Sequence, residues 1–164
     1  MPRIYDNADA VETIAKTIIP TYHPELATAR IRYVYVDKAG MKGGKPVNGK
    51  VRKISGVLEF LLDADFVVEI PLDRWNEMTV EQRQALVDHL LERCFGEEDE
   101  EDAGAEMKWS LREPDVQEFS SILRRHGAWN DDLAGFASVA KEIDLAAIVS
   151  ETQQAATQQQ STRA

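Results

Sequence analysis

The sequence predicts an α+β domain, a short β-sheet packed against three or four helices. Two segments, 29–36 and 65–75, alternate apolar and polar residues and are rich in β-branched and aromatic side chains. Two others, 8–19 and 80–94, repeat apolar residues at helical spacing. Further helical stretches follow the last strand, so helix, strands and helices come in blocks and do not alternate as βαβ units.

In "ADAVETIAKTII", Val11, Ile14, Ala15, Ile18 and Ile19 fall on one helical face, and Pro20 is expected to stop the helix. "ARIRYVYV" reads as a strand. The Gly-rich basic stretch after it, "DKAGMKGGKPVNGKVRK", reads as a long loop or hairpin arm, and "KISGVLEFLLDA" fits either a strand or a short helix. "DFVVEIPLDRW" is a clearer strand with Phe66, Val68 and Ile70 on one face. Thr79 and Gln82 then form a capping-box pattern ahead of a helix over 80–94. Its apolar stripe is Val80, Leu86, Val87, Leu90, Leu91 and Cys94.

After an acidic loop, residues 96–106, "MKWSLR" suits a short strand. "EPDVQEFSSILRRHG" suits a helix with Pro114 in its first turn, Val116, Phe119, Ile122 and Leu123 on one face, and Gly127 as its stop. A last helix, about 131–149, is expected to pack through Leu133, Phe136, Val139, Ile143 and Ile148. The domain is thus drawn over 1–149. The polar, Gln-rich tail 150–164 is expected to be disordered, because it offers too little apolar surface to offset the entropy of ordering.

A 164-residue chain with 43% hydrophobic and 29% charged residues has the composition of a water-soluble globular domain. It contains neither an apolar run of membrane-spanning length nor a signal-peptide core, so the expected location is the cytoplasm, with no membrane partner. One Cys excludes an internal disulfide framework and multi-Cys zinc sites. The net charge of −10 repels phosphate, so no direct nucleic-acid binding is expected. The charge is uneven, with a basic block at 37–53 and an acidic block at 96–106.

Two motifs bear on chemistry. "GKPVNGKV", 44–51, has the glycines and lysine of a phosphate-binding loop, but Val51 replaces the hydroxyl residue that would hold magnesium. A basic flexible loop accounts for it better. In "ALVDHLLERC", His89 stands where an H-E-x-x-H zinc helix would begin. Leu90 takes the general-base position and Arg93 the second-ligand position. Leucine cannot take up a proton, and a guanidinium repels a cation. The residues alone favour a partly buried helix histidine over a metal ligand. His126 suits a cation near a helix C-terminus, and His23, in "TYHPEL", reads as a turn residue.

The sequence resembles the Putative phage metallopeptidase family over about residues 10–137. The resemblance rests on "HPELATARIRYV", the "GK" loop leading into "RKISG", "DFVVEIPLDRWNEMTVEQRQALVDH" and "DVQEFSSILRRHGAW". In that family the helix continues as D-H-E-L-C-H-C, and a further His precedes the D-V-x-E-F segment. The resemblance therefore implies a zincin-like domain encoded by a phage or prophage. It puts His89 on the first zinc-ligand position, Leu90 on the catalytic Glu, Arg93 on the second His and Pro114 on the extra His. His89 is the one retained ligand position, with Asp88 and Cys94 still flanking it.

The resulting expectation is a pseudo-peptidase without a cofactor that acts by binding a protein partner in the bacterial cytoplasm, with Glu97–Asp102 as the candidate surface. Two alternatives stand beside it. One is an active metallopeptidase in which zinc is held by His89 with Glu92, Cys94 or an acid of the 97–102 loop. The other is an acidic nucleic-acid mimic that blocks a host protein.

Overall fold

The computed structural model describes residues 1–98, 100–102 and 104–144. They fall in two compact units, Met1–Glu113 and Pro114–Ala164, and the architecture is α+β as expected. In the first unit the elements are β1 (Tyr5–Asn7), α1 (Asp9–Tyr22), a 3-10 turn (Pro24–Thr28), β2 (Ile31–Val36), a two-stranded hairpin of β3 (Met41–Lys42) and β4 (Lys45–Pro46), and β5 (Lys50–Lys53). There follow α2 (Val57–Leu62), β6 (Phe66–Pro71), α3 (Leu72–Glu77), α4 (Val80–Glu92), β7 (Cys94–Glu97) and β8 (Lys108–Leu111).

The main sheet runs β1-β2-β6-β5. Strands β2 and β6 are parallel, in register from Ile31 opposite Phe66 to Val36 opposite Pro71, and both flanking strands are antiparallel to them. Alternation gives the sheet two unlike faces. Phe66, Val68 and Ile70 of β6 and Val51 of β5 are buried on one face in a core with Val11 and Ala15 of α1, Leu26, and Val87, Leu90 and Leu91 of α4. Trp75 of α3 joins them, its ring tilted against Tyr35 and covered by the Arg83 guanidinium at 5.1 Å. The outer face carries Glu69, buried between Lys50 (3.1 Å), Arg3 (3.6 Å) and Arg52 (3.8 Å).

The capping box is formed. Thr79 Oγ1 accepts the Gln82 N–H, and Gln82 Oε1 accepts the Thr79 N–H. Several expectations are corrected. Pro20 does not stop α1, which continues to Tyr22. Pro20 gives up the hydrogen bond to the Lys16 carbonyl, but only two helical residues follow it and the His23 N–H still closes the last turn on the Ile19 carbonyl at 2.9 Å. The 96–106 segment is not all loop, because Cys94–Glu97 is a strand paired with β8. Cys94 therefore lies beyond α4, not on its stripe, and Val80 is exposed at the other end. Lys50 of the near-match to a phosphate loop opens a strand, not a helix, and its ammonium is paired with Glu69.

In the second unit, α5 is Ser120–His126, shorter than expected, and Pro114–Phe119 is not helical. The Glu118 carboxylate accepts the Phe119 N–H at 2.7 Å and the Trp129 indole N–H at 3.0 Å, a local closure that competes with a helical turn. His126 lies in the last turn, as read. A further helix, α6, covers 131–144. Leu133 is buried, but Phe136, Val139 and Ile143 are exposed, contrary to the expected packing. Ile148, the rest of the expected 131–149 helix and the 150–164 tail lie outside the described residues.

A cluster of charges fixes the turn into β6. Arg30 donates to Asp65 Oδ1 (2.7 Å), Asp63 Oδ1 (2.7 Å) and Glu59 Oε1 (3.1 Å), and its backbone N–H donates to Asp65 Oδ2 (2.8 Å). Burial pushes the Asp65 carboxyl upward. The side-chain and backbone hydrogen bonds from Arg30, with its charge, outweigh that and hold the group below the usual carboxylate range. A carboxyl depressed in the fold stabilises the fold above the pKa it has when unfolded, and that stabilisation is lost as pH falls through the folded value. Asp65→Ala is accordingly expected to lower stability by about 2 kcal/mol at neutral pH, because it leaves the Arg30 N–H unpaired. The difference from wild type should shrink as the pH is lowered through the carboxylate range. Urea titrations at a series of pH values check this, and a pH-independent difference would contradict it.

Candidate functional site

Helix α4 and its C-cap carry the positions that an H-E-x-x-H motif begun at His89 would occupy. Its core-facing side is set by Val87, Leu90 and Leu91, all buried. Adjacent residues in a helix are about 100° apart, so His89 is turned off that side and is exposed, not partly buried as expected.

Leu90 is 2% exposed and belongs to the core. Its Cδ1 lies so close to the Gly49 backbone that a Cβ built on Gly49 would stand 2.8 Å from it. The segment leading into β5 thus passes directly over Leu90, and the glycine makes that approach possible. The position is filled by a side chain packed into the core.

Arg93 follows the helix as its C-cap. Its Nη2 donates to Glu113 Oε1 at 3.0 Å, and Nε is buried without a hydrogen-bond partner among the described residues. Glu92 accepts from Arg112 Nη1 at 2.7 Å, and the Arg112 N–H donates to the Arg93 carbonyl at 2.8 Å. These contacts tie the end of α4 to the end of β8. Cys94 is buried, with its thiol 3.7 Å from the Leu90 carbonyl. Burial pushes that thiol up to about 12, partly offset by the charge of Arg93, so at neutral pH it is not the thiolate that binds metals. Glu92 is therefore engaged and Cys94 is protonated. Among the described residues no three His, Cys, Asp or Glu side chains stand close enough to hold a metal ion. The residues around His89 do not fit a tetrahedral zinc.

The polar contact of note on α4 is one that sequence reasoning missed. His23, read as a turn residue, is 2% exposed, and its Nε2–H donates to Asp88 Oδ1 at 2.6 Å. Its other nitrogen lies 3.6 Å from Glu92 Oε2 and 3.9 Å from Glu25 Oε1, past hydrogen-bond length. The ring joins the end of α1 to α4. No spacing rule links residues 65 apart in sequence. The available signal was that His23 and Asp88 both lie in segments that carry the family resemblance.

No helix among the described residues is long and apolar enough to cross a membrane. No curated protein and no solved structure matches the chain. Residues 4–141 match the family model described as Putative phage metallopeptidase, and the chain belongs to that family.

Proposed function

We propose that the chain is a zincin-like but catalytically inactive member of its family, a pseudo-peptidase that acts by binding another protein in the bacterial cytoplasm. The observation that supports this reading is the packing of Leu90 at the general-base position. Peptide hydrolysis on zinc needs a carboxylate there to take the proton of the attacking water. A leucine packed into the core against Gly49 supplies neither the base nor the space.

Arg93, paired with Glu113, contributes a fixed positive charge where a second ligand would be. His89 remains as an exposed single imidazole, too little for tight binding of a metal. No cofactor enters this reading.

Elemental analysis tests it. After zinc loading and desalting, the chain is expected to retain well under one equivalent, with no difference between wild type and His89→Ala. One tightly held zinc that His89→Ala removes would overturn the proposal in favour of an active peptidase with atypical ligands.

A further inference from the structure

The basic block at 37–53 has no part in the α4 site, yet it sets six cations against one carboxylate in a chain whose net charge is −10. Part of it is gathered on the sheet and not splayed into water. Val51 of β5 points into the core, so its neighbours Lys50 and Arg52 point to the outer face of the main sheet. Lys50 stands opposite Glu69 in the strand register. Arg3 reaches the same carboxylate from the chain ahead of β1. That segment is held in place, because the Asp37 N–H donates to the Ile4 carbonyl at 3.0 Å.

Three cations thus share one buried carboxylate, which leaves two positive charges uncompensated. The sharing is unequal. Lys50 is within hydrogen-bond reach of Glu69 at 3.1 Å, while Arg3 and Arg52 stand at 3.6 Å and 3.8 Å. Neither guanidinium makes a hydrogen bond among the described residues, and both are about half exposed. A guanidinium offers a planar fork of donors that matches a carboxylate, and here two such forks are held in place with their donors free. Beside them, a cavity of about 200 Å³ is lined by Arg3, Met41, Val47, Lys50 and Glu69. An incoming acidic side chain can seat there against Arg3 and Lys50.

We propose that this face, over β5 and β6, binds a carboxylate-rich segment of another protein, with Arg3 and Arg52 as the forks that grip it. The inference deepens the binding role proposed above by naming a surface and the chemistry of its partner. Charge favours a protein segment over nucleic acid. A duplex carries phosphate along its whole length and would set it against the acidic remainder of the chain. A short acidic segment meets the cluster alone.

Fluorescence anisotropy of a labelled oligoglutamate peptide, titrated with the full chain, tests this. A labelled oligoglutamine and a short DNA duplex are run beside it. The oligoglutamate is expected to bind and the oligoglutamine not. Arg3→Gln with Arg52→Gln should raise the dissociation constant about 100-fold, since hydrogen bonds between charged groups are the strong ones. Lys16→Gln with Lys141→Gln changes the net charge equally outside the cluster, and should shift it by less than about twofold. Arg3→Lys with Arg52→Lys keeps the charge and loses the forks, and should raise it about tenfold. Lys50 still pairs with Glu69 in every variant, so each is expected to fold, and circular dichroism checks that.

No binding of oligoglutamate at low salt overturns the proposal. So does an Arg3→Gln, Arg52→Gln protein that binds as well as the Lys16→Gln, Lys141→Gln one, or an Arg3→Lys, Arg52→Lys protein as tight as wild type. Tighter binding of the duplex, lost in the same arginine variants, overturns it too and assigns the face to nucleic acid. One tightly held zinc would overturn the proposed loss of catalysis and leave this binding result standing, so the two failures are distinguishable.

Discussion

Leu90→Glu, which installs the residue that an H-E-x-x-H motif begun at His89 would have here, is expected to cost about 3–5 kcal/mol of stability. The carboxylate would enter a core site 2% exposed to solvent, among Val87, Leu91 and the Gly49 backbone. A charge buried without a partner neutralises or unfolds its surroundings. The loss should therefore ease at acidic pH, where the new side chain is protonated, and grow as the pH rises.

Leu90→Met separates charge from shape, since a volume-conserving swap should cost less than about 1.5 kcal/mol. Urea denaturation of the three proteins at two pH values measures both effects. A Leu90→Glu protein as stable as wild type would mean that the position still opens on water. The proposal of a lost active site would then rest on chemistry alone.

The parts of the fold that were legible in the sequence are those whose determinants are local. Thr79 and Gln82 lie one helical turn apart and satisfy each other's backbone groups wherever the chain goes, so the start of α4 could be read directly. Strand β6 alternates because one of its faces is core, and Phe66, Val68 and Ile70 record that. Elements defined by a distant partner were not legible. Tyr5–Asn7 is a strand because β2 lies beside it, and Cys94–Glu97 is one because it pairs with β8. Nothing in three or four residues announces either.

The candidate site divides in the same way. The resemblance placed Leu90 and Arg93, but their meaning lies in what they touch: a glycine backbone some forty positions earlier and a carboxylate twenty positions later. The exposure of His89 follows from the burial of Leu90 beside it, and the apolar stripe of α4 already implied that geometry.

His23→Ala is expected to destabilise the chain by about 2–3 kcal/mol, the joint cost of a cavity and of a lost hydrogen bond to a charged group. The ring is buried where α1 ends, and its bond to Asp88 joins that end to α4. Asp88→Asn keeps an acceptor in place and should cost about 1 kcal/mol. The two side chains share one bond, so a double-mutant cycle of His23→Ala and Asp88→Ala should give a coupling energy of about 1 kcal/mol or more. Additive effects would show that His23 matters through packing alone, and Asp88 would then be a surface residue with no hold on α1.

The outcome also bears on what Asp88 does beside the positions that the resemblance assigns to zinc chemistry. A residue that ties α4 to the end of α1 acts in the framework whether or not the chain holds a metal. On the proposed reading, Leu90 and Arg93 occupy positions whose duties in an H-E-x-x-H helix are chemical. A strong His23–Asp88 coupling, together with the cost of Leu90→Glu, would place Asp88 in the framework and Leu90 in the core.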